Sequence, residues 1–142
     1  MTTLVIHVHG VAAPQGSKRH VGRGVMVESS KRLRPWRDTV TQAALDALGD
    51  RPAFTGPVEL HVTFTFARPK YHYRTGARAG ELRANAPAYV AVRPDSSKLV
   101  RAVEDALTDA GVWRDDAQVA IAHTLKVYGQ RPGAHIVIRD LA

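Results

Sequence analysis

The sequence predicts an α/β (α+β) chain: a single mixed β-sheet of about four to five strands with two main helices packed on one face. Two patterns predict it. Apolar residues alternate at Leu4-Ile6-Val8 and again at Val58-Leu60-Val62-Phe64-Phe66, the period-two spacing of a strand with one buried face. Helical spacing instead governs Trp36-Val40-Ala43-Ala44-Ala47-Leu48 and Leu99-Val103-Ala106-Leu107, where one stripe turns inward every three or four residues.

Composition bounds the class. A chain of 142 residues suffices for one domain with a proper core, spanning residues 1–142, and is short for two. Its apolar fraction is 44%, ordinary for a globular protein, and no apolar run approaches a membrane span. The opening MTTLVIHVHG has no basic leader or cleavage pattern and reads as a strand, not a signal peptide. With no cysteine, disulfides and thiolate metal sites are excluded, which fits a cytoplasmic protein. Net charge is +7, and the cations cluster. Residues 10–37 carry seven Lys or Arg against Glu28 alone, and residues 68–93 carry six against Glu81 alone. Clustered cations suit nucleic acid, although basic residues can also serve solubility alone.

Taken in order, the first strand ends at Gly10. Ala13-Pro14-Gln15-Gly16-Ser17-Lys18-Arg19 is a loop by its Pro and Gly; Gly16 permits close backbone approach and Lys18-Arg19 supply charge, so phosphate contact is expected. The Walker spacing is absent. Val25-Met26-Val27 suggests a short strand, Ser29 or Ser30 a cap, and Pro35 to Leu48 a helix stopped by Gly49. Trp36 reads as a core anchor. Val58 to Phe66 is the clearest strand, and His61 on its polar face reads as a surface residue without a carboxylate at ligand spacing. Residues 68–92, rich in Arg and Tyr and broken by Pro69, Gly76, Gly80 and Pro87, form a long basic loop, either functional or disordered; Tyr71 and Tyr73 could stack on bases. Asp95 is expected at a strand end, Ser96 or Ser97 as the cap of the second helix, and Gly111 as its stop. Val119, Ile121, Leu125 and Val127 alternate as a further strand with Lys126 on its other face. Ile136 and Ile138 suggest a last short one.

The acids are the unusual feature. Residues 93–119 hold Asp95, Glu104, Asp105, Asp109, Asp115 and Asp116, six of thirteen in a basic chain. Carboxylates that converge in space hold Mg²⁺ with open coordination positions, which is what phosphodiester hydrolysis requires. Asp95 before the helix and Asp115-Asp116 after it would converge if the flanking strands were neighbours joined by a crossover. Taken alone, an Asp-Asp pair after a helix is a solvated turn more often than a metal site.

The run Arg93-Pro94-Asp95-x-x-x-Leu99-x-x-x-x-x-Asp105-Ala106-Leu107, followed by Val112-Trp113-x-Asp115-Asp116-x-Gln118-Val119, resembles the signature of RusA-type Holliday junction resolvases. Gly10-x-x-x-Pro14-x-Gly16-Ser17-Lys18-Arg19 resembles their N-terminal loop, and Lys126 matches a lysine that often follows. The resemblance implies a homodimeric, Mg²⁺-dependent endonuclease (Mn²⁺ a possible substitute) that cuts four-way DNA junctions symmetrically and is mostly encoded by phages and prophages. In the family pattern P-D-x-D-N-L-x-K the two acids bind metal together with the second acid of the later pair. Asp95 and Asp116 therefore carry over as catalytic metal ligands, with Asp115 adjacent. Three positions depart: Ser97 replaces the second acid, Lys98 the Asn, and Arg101 the catalytic Lys. Arg101 keeps the charge and can clamp a phosphate. Glu104 on the same helix can stand in for the missing ligand, or simply pair with Arg101. The expected DNA contacts are Gly16, Ser17, Lys18, Arg19, Lys98, Arg101 and Lys126. A catalytically weakened DNA-binding module, or a basic RNA-binding protein, are the competing readings.

Overall fold

The structure, a computed structural model, describes residues 2–16, 18–20, 26–28 and 31–142, with 18–20 and 26–28 as backbone only. Ser17 and the candidate caps Ser29 and Ser30 lie outside the described residues, as do the side chains of Lys18 and Arg19. The elements are β1 (Thr3–His9), β2 (Lys18–His20), β3 (Met26–Glu28), α1 (Leu33–Leu48), β4 (Val58–Phe66), α2 (Ser96–Asp109), β5 (Val119–Tyr128) and β6 (Gly133–Asp140). β2 and β3 pair as a small antiparallel ribbon. The others form one mixed four-stranded sheet in the order β1-β6-β4-β5, so the α+β expectation holds.

Alternation along the strands decides which face is covered. β1 buries Leu4, Ile6 and Val8 and exposes the residues between them; β4 buries Val58, Leu60, Val62 and Phe64; β6 adds Ala134, Ile136 and Ile138. α1 meets that face with Leu33, Trp36, Val40, Ala44 and Leu48, and α2 with Leu99, Ala102, Val103, Ala106 and Leu107. All belong to one apolar cluster, so both helices lie on one side of the sheet. Trp36 is the core anchor the spacing predicts, at 3% exposure. Each large aliphatic side chain of this cluster contributes roughly 1.5–3 kcal/mol through burial.

β4 and β5 run parallel, which a tight turn cannot achieve. The connection, residues 67–118, carries α2 back across the sheet. β6 is not a short final strand: its eight residues pair with β1 on one side and β4 on the other. In β5 the register sets Ile121 opposite Glu59 and Leu125 opposite Thr63, so both stand on the helix-free face, each 42% exposed.

The 68–92 segment contains no strand, and Asp95 consequently does not close one. It forms two 3₁₀ turns, Lys70–His72 and Gly76–Arg78, and its backbone is internally bonded: the Arg74 N–H donates to Glu81 O (2.8 Å) and the Arg83 N–H to His72 O (2.9 Å). It then lies along the outer edge of β5, where the Val90 N–H donates to Lys126 O (2.9 Å) and the Tyr128 N–H to Ala88 O (3.1 Å). His72 is buried edge-on against Tyr128, and the Arg68 guanidinium sits 5.2 Å from the centre of that ring. Tyr71 is exposed and Tyr73 half-buried.

Candidate active site

α2 organises the site. Its N-cap is Asp95 in extended conformation, not Ser96 or Ser97, and the Asp95 side chain makes no capping hydrogen bond. That carboxylate is therefore not occupied by the helix end. The Lys126 ammonium donates to Val92 O (2.9 Å) and Pro94 O (2.8 Å), tying the segment before Asp95 to β5. From the other side, the Gln15 N–H donates to Lys98 O (2.9 Å), which lays the 10–16 loop, and with it Gly16, against the first turn of α2. Asp95, Lys98, Gly16 and Lys126 thus gather at one end of the helix.

The second group lies further along. Gly111, at φ 76°, takes the left-handed conformation that ends a helix, and the Val112 N–H returns to Leu107 O (3.1 Å). Trp113 is buried, and its indole N–H donates to Thr108 Oγ1 (2.7 Å), whose hydroxyl donates to Glu104 O (2.9 Å). This chain of bonds fixes the return of the backbone past the third turn of α2. Asp115 then caps a short 3₁₀ turn, Asp116–Gln118, accepting from the Ala117 N–H (2.9 Å). Gln118 clamps the turn: its Oε1 accepts from the N–H groups of Arg114 (2.9 Å) and Asp115 (3.2 Å), while its Nε2 donates to Phe54 O and Gly56 O (both 3.0 Å). One side-chain amide thus uses its oxygen and its nitrogen together to hold the Asp115-Asp116 corner to the approach to β4.

The consequence is electrostatic. Burial, then the negative charges of Asp116 and Asp105, push the Glu104 carboxyl up to about 6, with Arg101 opposing. Asp116 is raised by burial, by its hydrogen bond with Asp115 and by the charges of Asp115 and Asp105. Asp105 and Asp116 thus bear on Glu104, and Asp105 and Asp115 on Asp116. Beside them a cleft of ≈ 290 Å³ is lined by Asp105, Thr108, Arg114, Asp115 and Asp116 and flanked by the Arg37–Asp109 ion pair, 2.8 Å, that joins α1 to α2. Asp95 stands nine residues before Glu104, about 13 Å of helical rise, and Arg101 lies between. Carboxylate oxygens alone are the donor set of a hard divalent cation, so the cluster fits Mg²⁺ by donor type; among the described residues, no three of these carboxylates bring a ligand atom each within 4.8 Å of one another.

A family model described as endodeoxyribonuclease RusA matches residues 8–139. The chain belongs to the RusA endodeoxyribonuclease family. RusA membership implies Holliday junction resolvase activity, and the match covers both ends of the RusA-like motif run. A search of curated proteins finds no match for the chain. Among the described residues no helix is long and apolar enough to cross a membrane.

Two residues of the RusA-like site have no role that the sequence alone assigns. Asp105 joins the acid cluster, and its signal is its spacing, four residues after Arg101 on the same face. Gln118 is the clamp, and in the sequence it is visible only as a motif letter. His61 requires correction: its Nε2 contacts the carboxylate of Glu59, two residues back on β4. That contact, foremost, holds the Glu59 carboxyl below its ordinary value. Alternation puts both side chains on one sheet face, which sequence separation alone understates.

Proposed function

We propose that this RusA-family chain is a divalent-cation-dependent endonuclease that cuts four-way DNA junctions, acting as one nuclease domain within a twofold dimer. The observation that carries the reading is the RusA family match over residues 8–139; beside it stands the negative charge that Asp116 and Asp105 impose on the partly buried Glu104 in a chain of net charge +7. Such repulsion costs stability, and a bound cation would relieve it. In this reading Asp95 and Asp116 hold Mg²⁺, or Mn²⁺ in its place, with Glu104 standing in for the acid that Ser97 lacks and Asp115 supporting Asp116. Bound there, the cation would supply charge neutralisation at the phosphate and a more acidic water. Helical side chains lean toward the N-terminus, which shortens but does not close the roughly 13 Å of rise between Asp95 and Glu104; a shared ion would have to draw the two together on binding. Arg101, between the two ends, would steady the scissile phosphate. Lys126 orients the Asp95 segment through its two carbonyl bonds. Gly16, Ser17, Lys18, Arg19 and Lys98 would grip the DNA arms. Two symmetric cuts make a twofold dimer the natural geometry.

Ser97 favours a second reading, a module that binds junctions and cuts weakly, because a hydroxyl brings no charge to a cation. Cleavage of a synthetic four-way junction in Mg²⁺ or Mn²⁺ separates them. The native protein should cut, and Asp95→Asn, Asp116→Asn and Glu104→Gln should each lose at least about a hundredfold in rate while still binding the junction. Tight binding without products in the native protein would establish the module. Cleavage indifferent to Asp116→Asn would remove the site as drawn.

A further inference from the structure

The helix-free face of the sheet carries a different set of ligands. Glu59 and His61 alternate on β4 and so share that face. The register of the parallel pair sets His123 of β5 directly opposite His61. The two imidazoles stack at 4.6 Å between centroids and 27° between planes. One donor atom from each of Glu59, His61 and His123 lies within 4.8 Å of the others. Glu59 and His61 are half-buried and His123 is exposed.

We propose that Glu59, His61 and His123 form a second cation site, one for a borderline transition metal such as Zn²⁺, separate from the acid cluster. The donor chemistry discriminates between the two. Mg²⁺ takes oxygen and retains its waters, so the all-carboxylate group beside α2 suits it and a pair of imidazoles does not. Two imidazoles and one carboxylate are a zinc set, with the fourth position left to water. Tetrahedral donors at about 2.0–2.1 Å from the ion stand roughly 3.4 Å apart. The ion would take the place of the direct Glu59–His61 contact, and rotation of the exposed His123 ring would bring the third donor in. All three residues sit on strands, so their backbones are already in register. The competing charge is Arg139, opposite Glu59 on β6, which offers the carboxylate an alternative partner. The other stacked pair on this face, His7 and His135 at 4.6 Å, does not belong to a three-ligand group among the described residues.

The site would have a mechanical consequence. β5 is the outermost strand of the sheet, held by β4 on one side and by the 88–90 segment on the other; an ion held by His61 and His123 would add a tie on the β4 side. Tag-free protein is titrated with Co²⁺, read by visible absorption, and with Zn²⁺, read by calorimetry and thermal melting. One equivalent of Co²⁺ should produce the intense bands of a four-coordinate ion, and Zn²⁺ should raise the melting temperature. His123→Asn and Glu59→Gln should each weaken binding by about tenfold or more. His135→Asn and the acid-cluster variant Asp116→Asn should bind as the native protein does, whatever the nuclease reading's fate. Circular dichroism checks that each variant is folded, and one folded ligand variant of the two is enough to decide the question. The proposal is overturned if native protein takes up no Co²⁺, if the folded ligand variants bind like the native protein, or if Asp116→Asn alone abolishes the signal.

Discussion

Glu104 concentrates the physics of the site in one carboxyl. Its folded value near 6 stands above the ordinary 4.5, so the native state holds the proton more tightly than the unfolded chain does. Below about pH 4.5 both states are protonated and nothing is lost. As pH rises from there to about 6 the unfolded chain ionises first, and above 6 the cost to folding is complete. The native protein should therefore melt higher at pH 5 than at pH 7 relative to Glu104→Gln, whose profile should flatten across that window; calorimetry in the absence of divalent cations reads the difference. An equal pH dependence in both proteins would mean that neither burial nor its acidic neighbours raise the Glu104 carboxyl. At this scale the sequence reveals the acids and the departures at Ser97, Lys98 and Arg101. It does not reveal their neighbours. Asp105 enters the cluster because Trp113, Thr108 and Gln118 bring the chain back beside the third turn of α2, and the Gln118 bonds cross a long stretch of sequence. His61 and His123 likewise meet only through strand register, which no local pattern encodes.

Strands β1, β4 and helix α2 are legible because each has one face against the core, and a one-sided environment writes its period into the residues. α1 begins at Leu33, two residues ahead of the expected Pro35. β6 is understated by its sequence for the opposite reason: its importance lies in backbone pairing on both sides, which leaves no mark on side-chain identity. Gly133 shows how tightly that pairing is made. It faces His9 of β1 and Thr65 of β4, and a Cβ there would sit 2.1 Å from the backbone oxygen of Val8. Neither strand can yield without breaking its ladder. Gly133→Ala should cost about 2–3 kcal/mol, measured by urea unfolding. Gly129→Ala is the comparison, since its Cβ would meet only the Thr65 methyl, at 2.8 Å, and should cost less. Equal stability of the two variants would argue against the β1–β6 register. The long basic segment, which composition alone leaves open between functional and disordered, is held along β5 by its own hydrogen bonds and the buried His72.

Across the whole molecule, a net charge of +7 with six of thirteen acids confined to residues 93–119 predicts DNA binding governed by counterion release. Each phosphate contact contributes about −0.9 to the slope of log K against log salt. Junction affinity measured by fluorescence anisotropy between 50 and 200 mM salt should fall with a slope of about −4 or steeper; a flat response would exclude the basic surface as the DNA-binding face. The sheet order carries one more implication, for synthesis on the ribosome. β6 is the last of the described strands to be translated, yet it lies between β1 and β4. A nascent chain that has reached residue 132 can pack β1 against α1 but has no strand to hydrogen-bond β1 to β4. The first strand made must wait, unpaired, for the last one, so this sheet assembles after its translation and not during it.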